Sequence, residues 1–106
     1  TKLKVLDLTK NRSLGKYLQY LSELRDLESL TINETSFEKG TFTEIGKLKS
    51  LKTLTMNQVT YDLDDFDAIG ELTNLENFSA RHTNLRHKNV GGLEKLTKMV
   101  NLDLFC

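Results

Sequence analysis

The sequence repeats with a period of 24 residues, and this constrains the fold more than any other property of the chain. A leucine-type residue followed by two more at offsets of three and five starts at Leu3, Leu27, Leu51, Leu75 and Met99. In full the sets are Leu3/Leu6/Leu8, Leu27/Leu30/Ile32, Leu51/Leu54/Met56, Leu75/Phe78/Ala80 and Met99/Leu102/Leu104. A unit this short cannot bury an apolar face by itself, so units in register must stack and share one continuous core.

Further apolar residues keep the same frame: Phe37, Tyr61 and Leu85; Leu18, Phe42, Phe66 and Val90; Leu21, Ile45, Ile69 and Leu93; Leu24, Leu48, Leu72 and Leu96. One long helix does not explain them. In the run Leu18, Leu21, Leu24, Leu27 and Leu30 a strict spacing of three drifts by about 60° per step, so the leucines would wind around a helix instead of forming a stripe. A short strand followed by an irregular or helical return segment instead aims successive leucines at one shared interior.

These sets, with their further Leu-x-x-Leu steps, resemble the leucine-rich-repeat family, whose unit has the form LxxLxLxxN, and the resemblance covers essentially the whole chain. Ile45-Gly46-Lys47-Leu48 and Ile69-Gly70-Glu71-Leu72 look most like the 24-residue repeats of plant resistance proteins and receptors, although the proline usual before that segment is missing. The resemblance implies an α/β fold, a leucine-rich-repeat solenoid: a right-handed superhelix with a curved parallel β-sheet on its concave face and short helical or irregular segments on its convex face. Residues 1–106 would form a single array of about four and a half repeats.

The sequence departs from the family where an asparagine bonds the turning backbone after each strand, a position held here by Asn11, Thr35, Val59 and Thr83. A threonine hydroxyl replaces part of that amide, but Val59 has no polar atom, so a less regular ladder is expected. Thr1 leads straight into a strand pattern and Cys106 follows directly on another, without the polar caps that solenoid ends need, so the sequence reads as an excerpt of a longer array.

Composition narrows the partners. Fifteen Lys plus Arg balance fifteen Asp plus Glu, so no net field draws the chain to nucleic acid or an anionic membrane. No apolar run approaches the roughly 20 residues that span a bilayer. Cys106 is the only cysteine, which excludes an internal disulfide framework and favours a cytoplasmic protein, with an extracellular receptor fragment as the alternative.

Side chains alternate along a strand, so the residues between the core leucines line the concave sheet, about 4.8 Å apart from unit to unit. One row reads Asp7, Thr31, Thr55, Ser79 and Asp103; its neighbours read Val5, Ser29, Thr53, Asn77, Asn101 and Thr9, Asn33, Asn57, Arg81, Phe105; the edge row is Lys10, Glu34, Gln58, His82, Cys106. Hydroxyls and amides with few aromatics suit an adaptable, hydrogen-bonding protein interface. The expected partner-binding residues are Thr31, Asn33, Glu34, Thr55, Asn57, Gln58, Ser79, Arg81 and His82. The competing explanation is that any strand surface must be soluble.

The remaining clusters read as surface. Arg81, His82, Arg86, His87 and Lys88 suit a solvated corner better than an acidic-partner contact. Asp65-x-Asp67-x-Ile69-Gly70 with Glu76 imitates a calcium loop, but Ile69 at its fifth position belongs to the core. Asp62, Asp64, Asp65 and Asp67 fit better at the start of a short helical turn, favouring its amino-terminal dipole end. His82, His87 and Cys106 lack a third ligand or a catalytic arrangement, and no phosphate loop or nucleophile elbow occurs, so neither enzyme activity nor a metal or cofactor is expected. The sequons at Asn11, Asn33 and Asn77 would, if glycosylated at Asn33 and Asn77, crowd the concave face.

The expected function is therefore non-enzymatic recognition of a protein partner. The resemblance implies roles such as ligand sensing in innate immunity or substrate selection for a ubiquitin ligase. A structural spacer within a larger signalling protein and the ectodomain of a surface receptor are the alternatives.

Overall fold

A computed structural model describes residues 3–10, 18–21, 23–37, 41–58, 60–61, 66–81 and 94–103. Its strands and helices are β1 (Val5–Asp7), α1 (Leu18–Leu21), β2 (Ser29–Thr31), β3 (Ser36–Phe37), α2 (Thr41–Ile45), β4 (Thr53–Thr55), β5 (Thr60–Tyr61), a 3₁₀-helix (Phe66–Glu71), β6 (Asn77–Ser79) and β7 (Asn101–Asp103). Five strands form one parallel sheet in the order β1-β2-β4-β6-β7, an α/β arrangement compatible with stacked 24-residue units. The register is uniform: Leu6 pairs with Leu30, Leu30 with Leu54, Leu54 with Phe78 and Phe78 with Leu102.

The backbone explains the leucine spacing. The N–H of Leu24 donates to the carbonyl of Leu21 and that of Leu27 to Leu24; the pattern recurs at Leu48 to Ile45, Leu51 to Leu48, Leu72 to Ile69 and Leu75 to Leu72. Such i→i−3 bonds give about three residues per turn, so residues three apart stand on the same side. The spacing that would wind around an α-helix thereby keeps facing the core.

β2, β4, β6 and β7 each begin on a shared acceptor. Lys4 accepts from the N–H groups of Glu28 and Ser29, Glu28 from those of Lys52 and Thr53, Lys52 from those of Glu76 and Asn77, and Glu76 from those of Val100 and Asn101. These bonds satisfy backbone groups where a strand meets its preceding turn, where they would otherwise be left without partners.

Strand centres face inward: β2, β4 and β6 each place a buried residue between two half-buried ones. Leu30, Leu54 and Phe78 join Phe42 and Ile45 of α2, Ile69 of the 3₁₀-helix, and Leu27, Leu48, Leu51, Leu72 and Leu75 in one buried cluster. The core thus lies between the sheet and a row of helical segments in which α1 neighbours α2 and α2 neighbours the 3₁₀-helix. At the two ends of the sheet the frame's inward positions are less covered: Leu3, just before β1, is 42% and Leu102 of β7 51% exposed, whereas Leu27 and Leu54 are fully buried. Those strands have a neighbour on one edge only. Of the other expected core residues, Leu85, Val90, Leu93 and Leu104 lie outside the described residues, as do the side chains of Leu18, Phe37, Tyr61 and Phe66.

Two features go beyond the sequence pattern. A second, two-stranded parallel sheet pairs Ser36 with Thr60 and Phe37 with Tyr61, again at an offset of 24 residues. Gly46, after α2, lies so close to the 3₁₀-helix that a Cβ there would stand 2.8 Å from the carbonyl oxygen of Ala68.

Candidate functional site

The sheet face turned away from the core carries the expected recognition residues. Register places Thr31, Thr55 and Ser79 side by side, half-buried, with Ser29, Thr53 and Asn77 in the row beside them. Within β2, β4 and β6 the backbone N–H and carbonyl groups are engaged by the strands on either side, so this face presents side chains.

Beyond the strands the ladder continues. The N–H groups of Lys10, Glu34 and Gln58 donate to the carbonyls of Asn33, Asn57 and Arg81, at 2.9, 2.9 and 2.8 Å. Lys10, Glu34 and Gln58 are exposed and take positive φ values of 68, 54 and 56°. This left-handed turn bends each segment away from the sheet and leaves three long polar side chains along one rim.

Several of the expected contact residues also hold the sheet together. The side-chain oxygen of Asn33 accepts from the backbone N–H of Asn57 at 2.8 Å. That of Asn57 accepts from the N–H of Arg81 at 2.7 Å and from the Ser79 hydroxyl at 2.8 Å. Arg81 faces Asp103, with Nε 3.5 Å from Oδ2. Asparagine amides thus tie adjacent units together, but two residues earlier than the family pattern places them. At the family position, the buried Thr35 hydroxyl donates to the carbonyl of Ile32 in its own unit, at 2.9 Å. Asn11, Val59 and Thr83 lie outside the described residues.

The opposite margin is organised similarly. The amide nitrogen of Asn101 donates to the side-chain oxygen of Asn77, and that of Asn77 to the Thr53 hydroxyl at 3.3 Å. In the row of Thr31, Thr55 and Ser79, Asp7 accepts from the N–H of Thr9 at 2.9 Å. Hydrogen bonds from the Thr9 hydroxyl and then its N–H hold the Asp7 carboxyl below its ordinary value by favouring the charged form.

The structure therefore brings Thr31, Thr55, Ser79, Asn33, Asn57 and Arg81 onto one face, with Glu34 and Gln58 on its rim. His82 lies outside the described residues, as do Asp62, Asp64, Asp65, the side chain of Asp67, Arg86, His87, Lys88 and Cys106. Lys10 stands at the same rim position as Glu34 and Gln58; the edge row of the repeat was the signal that marked it. Among the described residues no helix is long and apolar enough to cross a membrane. No protein-family model matches the chain, and comparison with curated proteins finds no significant match.

Proposed function

We propose that this chain is a stretch of leucine-rich-repeat solenoid that recognises a protein partner through the side chains of its open sheet face, without catalysis. The observation that carries the proposal is the in-register row Thr31, Thr55 and Ser79, half-exposed on the face away from the core. Repeat units stacked in parallel offer such a face as an extended surface. Ligand sensing in innate immunity or substrate selection for a ubiquitin ligase would both use it. A cytoplasmic setting belongs to the same proposal, since glycans on Asn33 and Asn77 would crowd the face.

A second reading, a structural spacer, is favoured by the amides of Asn33, Asn57, Asn77 and Asn101, which bond to neighbouring units. Photo-reactive amino acids separate the two. Placed at Thr31 and Thr55 in cells, they should form cross-links to partner proteins that the same group at Lys47 and Lys49, beyond α2, does not form. Cross-links from the Lys47 and Lys49 positions alone, or from neither pair, would overturn the recognition reading.

A further inference from the structure

We infer that the stack has a hinge between its first two units, at which β1 opens from β2 as one piece while β2, β4 and β6 stay together as a block. The four joints of the sheet share one register, so what distinguishes them is the side chains that bridge them. Asn33 fastens β2 to β4, its side-chain oxygen accepting from the Asn57 N–H at 2.8 Å. Asn57 fastens β4 to β6 through the Arg81 N–H and the Ser79 hydroxyl, and the side-chain nitrogens of Asn74 and Asn77 add bonds to the Lys49 carbonyl and the Thr53 hydroxyl. Between β6 and β7 the Asn101 side chain donates to that of Asn77, and Lys98 Nζ lies 2.8 Å from the side-chain oxygen of Asn74. At the β1–β2 joint the position of Asn33 and Asn57 is held by Thr9, whose N–H and hydroxyl both turn back onto Asp7 in their own unit. Among the described residues one side-chain bond crosses that joint, the Lys4–Glu28 ion pair, with Nζ 3.6 Å from Oε2 and the two side chains 65% and 40% exposed.

Packing weakens at the same place. Leu6 and Leu8 are half-buried, whereas Leu30 and Ile32 at the same positions one unit on are fully buried. An exposed ion pair contributes little and is screened by salt, and a piece held by few buried contacts opens before the rest of a fold. Opening here breaks the bonds from the Glu28 and Ser29 N–H groups to the Lys4 carbonyl and from the Leu8 N–H to the Thr31 carbonyl. It leaves intact the equivalent bonds one unit on, from Lys52 and Thr53 to Glu28 and from Ile32 to Thr55. The row on the sheet face divides accordingly: Asp7 moves with β1, whereas Thr31, Thr55 and Ser79 keep their spacing.

Amide hydrogen exchange of the chain, resolved residue by residue by ¹⁵N NMR, tests this. Raising salt from about 10 mM to about 1 M shortens the screening length from about 30 Å to about 3 Å. Exchange at Leu8, Glu28 and Ser29 should then speed up roughly 1.5- to fivefold, while Ile32, Lys52 and Thr53 hold their rates. Glu28→Gln removes the ion pair and should abolish that salt response. Thr9→Asn sets in the first unit the acceptor that Asn33 supplies in the second, within the same register, and should slow exchange at Leu8, Glu28 and Ser29 roughly two- to tenfold at either salt concentration. Equal salt responses at the two joints, a response that survives Glu28→Gln, or unaltered exchange in Thr9→Asn would overturn the hinge.

Discussion

Asn57 shows how one side chain can look like a ligand contact and act as a joint. Its oxygen accepts from both the Arg81 N–H and the Ser79 hydroxyl, one unit further on. Asn57→Ala leaves both donors without that acceptor and should cost about 1–3 kcal/mol, whereas Asn57→Asp keeps the acceptor and should cost less than half as much. Urea unfolding midpoints at constant slope measure the difference; equal stability of the two variants would return Asn57 to the pool of recognition residues. Nothing in the repeat pattern separates these roles. Asn33, Asn57 and Thr55 all read as polar positions on one face, and the group that engages an asparagine is a backbone N–H 24 residues away, which has no signature in the sequence. The left-handed turns were equally silent, because Lys10, Glu34 and Gln58 occupy positions where glycine would have announced them.

At the level of elements, the strands and their register were legible because burial recurs with the same period as the chain itself. Leu30, Leu54 and Phe78 occupy one inward row, as their spacing predicts. The short strands β3 and β5 were not legible. Two residues are too few to show alternation, and the sequence marks Phe37 and Tyr61 only as apolar members of the frame. The contact between α2 and the 3₁₀-helix is similar: the sequence shows Gly46, but only the fold shows the Ala68 carbonyl against it. Gly46→Ala pushes a methyl into backbone, which cannot rotate away, and should destabilise by about 1–3 kcal/mol. Thermal unfolding checks this, and an unchanged midpoint would mean that α2 and the 3₁₀-helix slide apart freely.

For the molecule as a whole, the charge balance is spatial as well as numerical. Lys4, Glu28, Lys52 and Glu76 hold one position in successive units and alternate in sign. Three of the four ion pairs among the described residues, Lys4–Glu28, Lys49–Glu71 and Arg81–Asp103, run from one unit to the next. Glu28→Lys would set a cation between Lys4 and Lys52. It should cost about 0.5–1 kcal/mol at low ionic strength and progressively less as salt screens the exposed row, a trend that unfolding curves across salt concentrations resolve. The uniform register has a genetic consequence as well. Because each strand meets its neighbour at an offset of 24 residues, a tandem duplication of 24 codons within the array returns every inward side chain to an inward position. Losing a single codon within a strand reverses the facing of every side chain beyond it in that strand. Selection on such a gene can lengthen the protein in whole steps while leaving each step free to change its outward residues.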